Sequence, residues 1–197
     1  MIAFVYGFFA YLIGSISCAI ILSKIFGLND PRQIGSGNPG ATNVLRSGNK
    51  TAAVLTLIGD MAKGLIPVLF VHLTTNDPAI LACTALGAFL GHLYPIYYKF
   101  KGGKGVATLF GIFLGMNPLI FLVMATVWLS MAKVFKMSSL ASLTAGGSAL
   151  LMSFFQTSIS IPILGATFAI IALLFWKHRA NIDRIKAGTE SKIGDNA

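Results

Sequence analysis

The chain has 197 residues, 55% of them hydrophobic and only 11% charged. Soluble domains carry about 25% charged residues, so this balance excludes an ordinary soluble globule and points to one integral membrane domain, residues 1–197. Lys and Arg outnumber Asp and Glu by 15 to 6, a formal net charge of +9 that suits anionic lipid or a phosphorylated substrate. The basic residues sit in short connections between apolar runs, which argues against a nucleic-acid partner.

About 20 apolar residues cross a bilayer as one helix. Seven candidate spans occur, at 3–26, 52–74, 79–98, 105–116, 118–133, 138–155 and 159–176. The first has no basic segment ahead of it and no small-residue cleavage site, so it reads as a span rather than a signal peptide. The fourth is the shortest, and Gly103, Gly105, Gly111 and Gly115 weaken it as a helix. A five-span reading, with the weaker segments at the surface, stays open. The expected fold is thus an all-α integral membrane protein with seven transmembrane helices and short cytoplasmic loops or interfacial helices.

Seven spans place 14 of the 15 Lys and Arg residues on one side, around 27–51, 99–104, 134–137 and 177–197. The other side holds Met1-Ile2, Thr75 to Pro78, Asn117 and Gln156-Thr157-Ser158, without a cation. The positive-inside rule then puts the basic side in the cytoplasm, with the N-terminus out and the C-terminus in. Lys63 is the exception, inside the second span, with Asp60 three residues earlier on the same helical face. Intramembrane charges turn toward a partner or a wet cavity, so this pair is either a structural ion pair or an active-site wall.

Between the first two spans lies Gly35-Ser36-Gly37-Asn38-Pro39-Gly40-Ala41-Thr42-Asn43-Val44-Leu45-Arg46. Asn38 before Pro39 predicts an N-cap and first residue of a short helix reaching about Ser47. That helix would set Asn43 and Arg46 on one face and offer N–H groups to an anion; the alternative is a loop capping the helix ahead. After the third span, Tyr94, Tyr97 and Tyr98 suit a membrane interface. Gly102-Gly103-Lys104-Gly105 then combines flexible backbone donors, a cation and a helix start, without the spacing of a nucleotide-binding phosphate loop. Before the sixth span, Ser138 and Ser139 read as helix caps, with Ser142 a turn deeper and able to donate to a bound anion.

The chain closes on Trp176-Lys177-His178-Arg179-Ala180-Asn181-Ile182-Asp183-Arg184 and Gly188-Thr189-Glu190-Ser191-Lys192. Positive-inside anchoring accounts for Lys177, Arg179 and Lys186, but not for His178 and Asn181 three residues apart. His72 and His92 read as lone polar residues on helix faces. Cys18 and Cys83 lie in apolar runs and read as small hydrophobes. No metal cluster, paired-carboxylate site, serine-nucleophile elbow or dinucleotide fingerprint stands out. Three cytoplasmic segments instead share cations, glycines, amides and hydroxyls, a set that positions and neutralises phosphate. A phosphorylated substrate from the cytoplasm and an acyl chain from the bilayer would meet there. The rival reading is a transporter or channel for phosphorylated metabolites, against which stand the one-sided basic loops and the lack of a clear internal repeat.

The segments Ser36 to Arg46, Lys101 to Thr108, and Lys177 to Ile182 with Arg184 and Gly188-Thr189-Glu190 resemble, in order, the three signatures of a known family. It is the bacterial acyl-phosphate:glycerol-3-phosphate acyltransferase family, PlsY. The resemblance implies transfer of a fatty acyl group from acyl phosphate to the 1-hydroxyl of sn-glycerol 3-phosphate, releasing inorganic phosphate and lysophosphatidic acid for phospholipid synthesis. It implies no cofactor and no metal, a monomer whose partners are glycerol 3-phosphate, acyl phosphate and membrane lipid, and a site facing the cytoplasm at the bacterial inner membrane. Ser36, Arg46 and Lys104 would hold phosphoryl oxygens, while Gly37, Gly40, Gly102, Gly103 and Gly105 would allow close backbone approach. Asn38, Thr42, Asn43 and Thr108 would orient loops or a substrate, and His178 and Asn181 would position the glycerol. Glu190 would order the basic tail. His178 could act as general base, since an ordinary histidine titrates near ~6.5. A substrate phosphate oxygen could take the proton instead, and this substrate-assisted route is the one expected.

Overall fold

The computed structural model describes residues 1–75, 77–156 and 160–194, and those residues form ten α-helices and one 3₁₀ turn, with no strand among them. The first apolar run makes two helices, α1 (Ile2–Gly14) and α2 (Cys18–Ile25). A basic-side loop and α3 (Ala41–Arg46) follow, then α4 (Lys50–Thr74) and α5 (Pro78–Leu93). A 3₁₀ turn at Ile96–Tyr98 leads through a glycine-rich stretch into α6 (Val106–Met116), α7 (Pro118–Phe135), α8 (Ser138–Phe155) and α9 (Ile161–Lys177). The last helix is α10 (Arg179–Lys186).

Apolar side chains such as Phe4, Phe8, Leu122, Leu129, Phe154 and Phe168 face outward, as lipid contact requires. Inside, α1 packs along α5 and α4 along α6. Small residues set both seams. A methyl on Gly14 would strike the Ala88 carbonyl oxygen, one on Gly87 the Gly7 oxygen, and one on Gly111 the Met61 oxygen. Close backbone approach of this kind substitutes packing for the hydrophobic drive that lipid cannot supply.

Among the described residues, five segments are long and apolar enough to cross a bilayer: Ile2–Ile25, Lys50–Thr74, Pro78–Tyr98, Pro118–Phe135 and Ser138–Phe155. Ile161–Lys177 counts as a sixth only when taken together with Arg179–Lys186 across a 56° bend. The α6 helix, the fourth expected span, has 11 residues and reaches ~16 Å, about half of a hydrocarbon core. The expected extracytoplasmic residues Asn76, Thr157 and Ser158, and the expected start of the last span at 159, lie outside the described residues.

Local expectations are corrected at three points. The first span is interrupted at residues 15–17, where Lys63 Nζ donates to the Ile16 carbonyl at 2.8 Å. An unbonded carbonyl in an apolar setting is costly, and a cation reaching across from α4 removes that cost. The helix expected from Pro39 begins only at Ala41, capped by extended Gly40. Gly40 N–H turns back onto the Asn38 carbonyl at 2.9 Å, so the chain makes a tight turn around Pro39 before the helix starts. Finally, Ser138 and Ser139 do not cap α8. Met137 holds that position without a side-chain bond, and the two hydroxyls face Thr42 Oγ1 and Glu190 Oε1 instead.

Candidate active site

The three basic-side segments converge on one cavity of ≈370 Å³. Its polar end is built by the loop before α3, the Lys104 segment before α6, the start of α8, and the α9–α10 bend with the tail beyond it. Of the residues predicted from the sequence, Ser36, Asn38, Gly40, Thr42, Asn43 and Arg46 line it from the first segment. Lys104 and Gly105 line it from the second, and Asp60, Ser142, His178, Asn181 and Glu190 complete the set. Gly37, Lys63, Gly102, Gly103, Thr108 and Arg179 stand outside the lining.

Those outside have visible structural work. Arg179 lies over the Trp176 ring at 4.7 Å and donates to the Trp176 carbonyl at 3.2 Å, so it anchors the end of α9. Lys63 pairs with Asp60 at 2.9 Å. The Asp60–Lys63 pair is therefore structural, and Asp60 also forms cavity wall. Thr108 is fully buried with its Oγ1 3.1 Å from His92 Nδ1. Asn43, although at the cavity edge, is committed to its own loop. Its Nδ2 donates to the Pro31 and Ile34 carbonyls at 2.6 and 3.1 Å, and its Oδ1 accepts from the Ser36 N–H at 3.1 Å. This staple presents Ser36 to the cavity and leaves Asn43 no spare N–H donor. Ser142 donates to the Ser138 carbonyl at 2.7 Å and accepts from Trp128 Nε1 at 3.1 Å, so its hydroxyl proton is already used.

A relay of hydrogen bonds crosses the polar end. Lys104 Nζ donates to Asn181 Oδ1 at 2.6 Å, and Asn181 Nδ2 donates to Glu190 Oε1 at 2.6 Å. Ser139 Oγ donates to the same Glu190 oxygen at 2.6 Å, while Arg184 Nε donates to Oε2 at 2.7 Å. Burial works to raise the Glu190 carboxyl, yet the bonds from Ser139, Asn181 and Arg184 outweigh it and hold the group below its ordinary range. Arg46 Nη2 donates to Ser191 Oγ at 2.5 Å, and Ile193 N–H donates to the Lys136 carbonyl. The tail thus lines the cavity through Glu190 and Ser191 and fastens to the α7–α8 turn. Ser139, Arg184 and Ser191 are cavity residues that the sequence reading did not place there. For Ser139 the signal was its i,i+3 spacing from Ser142 on one helix face.

Two shifted groups define the electrostatics. Burial pushes Lys104 down to about 8; Glu190 pulls the other way, and Arg184, Arg46 and Lys177 add to the lowering. His178, at the bend beyond the end of α9, is pushed down to about 4, again chiefly by burial. Its Nδ1 is 2.8 Å from the Leu174 carbonyl, which only accepts, so Nδ1 carries the proton and Nε2 keeps its lone pair. At neutral pH, His178 is an uncharged acceptor and a weak base.

The cavity's other end is apolar, walled by Leu57 and Met61 of α4, Val106 and Phe110 of α6, and Phe121, Ala125, Trp128 and Leu129 of α7. Phe110 and Phe121 meet edge to face, centroids 6.1 Å apart at 88°. Leu57 and Leu129 are also exposed on the lipid side, so this end borders the bilayer. One space therefore joins cationic, phosphate-suited groups to an apolar arm. Among the described residues there is no cluster of three or more metal-ligating side chains.

A family model described as Glycerol-3-phosphate acyltransferase matches residues 4–188. This chain belongs to the glycerol-3-phosphate acyltransferase family. It is 52% identical over 188 residues to the glycerol-3-phosphate acyltransferase of Burkholderia ambifaria, covering 94% of this chain and 88% of that one. Identity to the Neisseria meningitidis serogroup B enzyme of the same name is 52% over 191 residues, covering 94% of each. Its fold matches the crystal structure of PlsY, an integral membrane glycerol 3-phosphate acyltransferase, in its glycerol 3-phosphate form. The TM-score is 0.92 at 39% identity, over 98% of this chain and 96% of that one. The lysophosphatidic acid form of PlsY matches with a TM-score of 0.90 at 38% identity, over 98% and 95%.

Proposed function

We propose that this chain transfers a fatty acyl group from acyl phosphate to the 1-hydroxyl of sn-glycerol 3-phosphate, as a single-domain monomer without a metal or organic cofactor. The observation that carries this reading is the single cavity in which Arg46, Lys104 and His178 face an apolar arm bordering the bilayer. Arg46 and Lys104 neutralise phosphoryl oxygens by charge-assisted hydrogen bonds. Ser36 adds a donor from a loop that Asn43 holds in place. Asn181, relayed to Glu190, fixes the direction of Lys104. The acyl chain takes the arm between α4, α6 and α7.

In the reaction the glycerol 1-hydroxyl oxygen attacks the acyl carbonyl carbon, and the bond from that carbon to the phosphate oxygen breaks. The hydroxyl proton ends on the departing phosphate, which leaves as hydrogen phosphate. A histidine held near 4 is a poor base for an alcohol, which favours this substrate-assisted route. His178 Nε2 then accepts from the hydroxyl and orients it, while the cations stabilise charge on the phosphate.

We read α6 as the remaining crossing, the span expected at 105–116, with Lys104 on the basic side just ahead of it. The grouping of the basic residues on the site's side supports a cytoplasm-facing site, an outside N-terminus and an inside C-terminus in the bacterial inner membrane. The test is purified protein in lipid with defined acyl phosphate and glycerol 3-phosphate, following phosphate and lysophosphatidic acid together. Equal release of both is expected, abolished in Lys104→Ala and weakened rather than abolished in His178→Gln. Phosphate release without lysophosphatidic acid would make the protein an acyl-phosphate hydrolase and overturn the reading.

A further inference from the structure

His92 and Thr108 lie directly beneath the stretch that carries Lys104. The His92 carbonyl accepts the Gly103 N–H at 3.1 Å. A side chain on Gly102 would strike that same carbonyl oxygen, and one on Gly103 would strike His92 Nε2. The His92 ring is in turn held by Thr108, whose Oγ1 is 3.1 Å from Nδ1 and which belongs to the first turn of α6. Gly105, between Lys104 and α6, has φ +86°, so the backbone turns sharply there with the Phe89 ring beneath it. Lys104 is a long side chain on a stretch without regular structure, and its placement depends on the backbone below. Thr108 itself does not line the cavity, whereas His92 does, so Thr108 is the residue that can act only at a distance.

We propose that Thr108 and His92 are positioning residues that act through Lys104. Thr108 fixes the His92 ring, the ring and carbonyl of His92 fix the height of Gly102 and Gly103, and that height sets where Lys104 Nζ meets a phosphate. Loss of the Thr108–His92 bond lowers substrate affinity while leaving the fold intact. This rests on the reading of Lys104 as a phosphate ligand.

The test is a double-mutant cycle in detergent-purified full-length protein, with binding of glycerol 3-phosphate and of a non-hydrolysable acyl phosphonate measured by calorimetry. Wild type is compared with Thr108→Val, which keeps the side-chain shape, Lys104→Met, and the double variant. Thr108→Val is expected to weaken the same ligand that Lys104→Met weakens, by about tenfold, the scale of one hydrogen bond. It is expected to add nothing in the Lys104→Met background, and Thr108→Ser is expected to restore wild-type affinity. Additive losses, a loss on the other ligand alone, or unchanged affinity would overturn the positioning role. Should Thr108→Val not fold, Thr108→Ala, which also removes the hydroxyl that holds the His92 ring, enters the same cycle with the same expected pattern. If Lys104→Met changes neither affinity, the phosphate-ligand reading falls and the positioning role falls with it. If only Lys104→Met has an effect, the positioning role alone is lost.

Discussion

An exposed lysine keeps its charge to about pH 10.4, but Lys104 is held near 8 by burial. Its positive form is present below that value and is lost as pH rises through it. In kcat/KM, which reports the free enzyme, activity is expected to fall about tenfold per pH unit above pH 8. Lys104→Arg keeps its charge throughout, so its profile should lack that alkaline limb even if its rate is lower. A wild-type profile flat to pH 10 would show that Lys104 charge does not matter. At the same scale, Asn43 shows the limit of sequence reasoning. Residue type and spacing marked it as a candidate site residue, and its amide is spent on Pro31, Ile34 and Ser36 rather than left for a ligand. Bonds to carbonyls 12 and 9 residues away depend on how a glycine-rich loop folds, and no local pattern encodes that.

At the scale of helices, the α4–α6 seam places the site. Met61 and Asp60 of α4 and Val106 and Phe110 of α6 are cavity walls, so the separation of these helices sets the cavity's width. Gly111→Ala pushes a methyl into the Met61 carbonyl and is expected to cost about 1–3 kcal/mol of stability, with lower activity. Gly147→Ala, where a Cβ meets nothing within 4 Å, is the control and should be neutral or slightly stabilising. Thermal unfolding of both variants in one detergent decides the matter; equal midpoints would remove the seam's importance. Apolar runs made most helices readable in advance, and the structure adds Asp77 and Asn117, each just ahead of a proline, as caps of α5 and α7. The interruption at residues 15–17 was not readable, because its partner, Lys63, sits 47 residues away on another helix. Nor were the roles of Ser138 and Ser139, since hydroxyls at a helix start suit capping and cross-chain contact equally well.

At the scale of the whole molecule, the three site segments come from widely separated parts of the chain and meet on the face where the basic residues gather. Orientation is checked with single cysteines at Asp77 and Lys136 in a Cys18→Ala, Cys83→Ala background. A membrane-impermeant maleimide applied to intact spheroplasts should label the Asp77→Cys protein and reach Lys136→Cys only after permeabilisation. The opposite pattern would invert the topology. The tail fastened to Lys136 also bears on how the protein can be handled. Glu190, Ser191 and Ile193 pin this segment beside the cavity lining, Ser191 by its contact with Arg46. An affinity tag or fluorescent reporter at the C-terminal end is therefore expected to pull on the segment that carries Glu190, whereas one ahead of Met1 leaves that segment untouched.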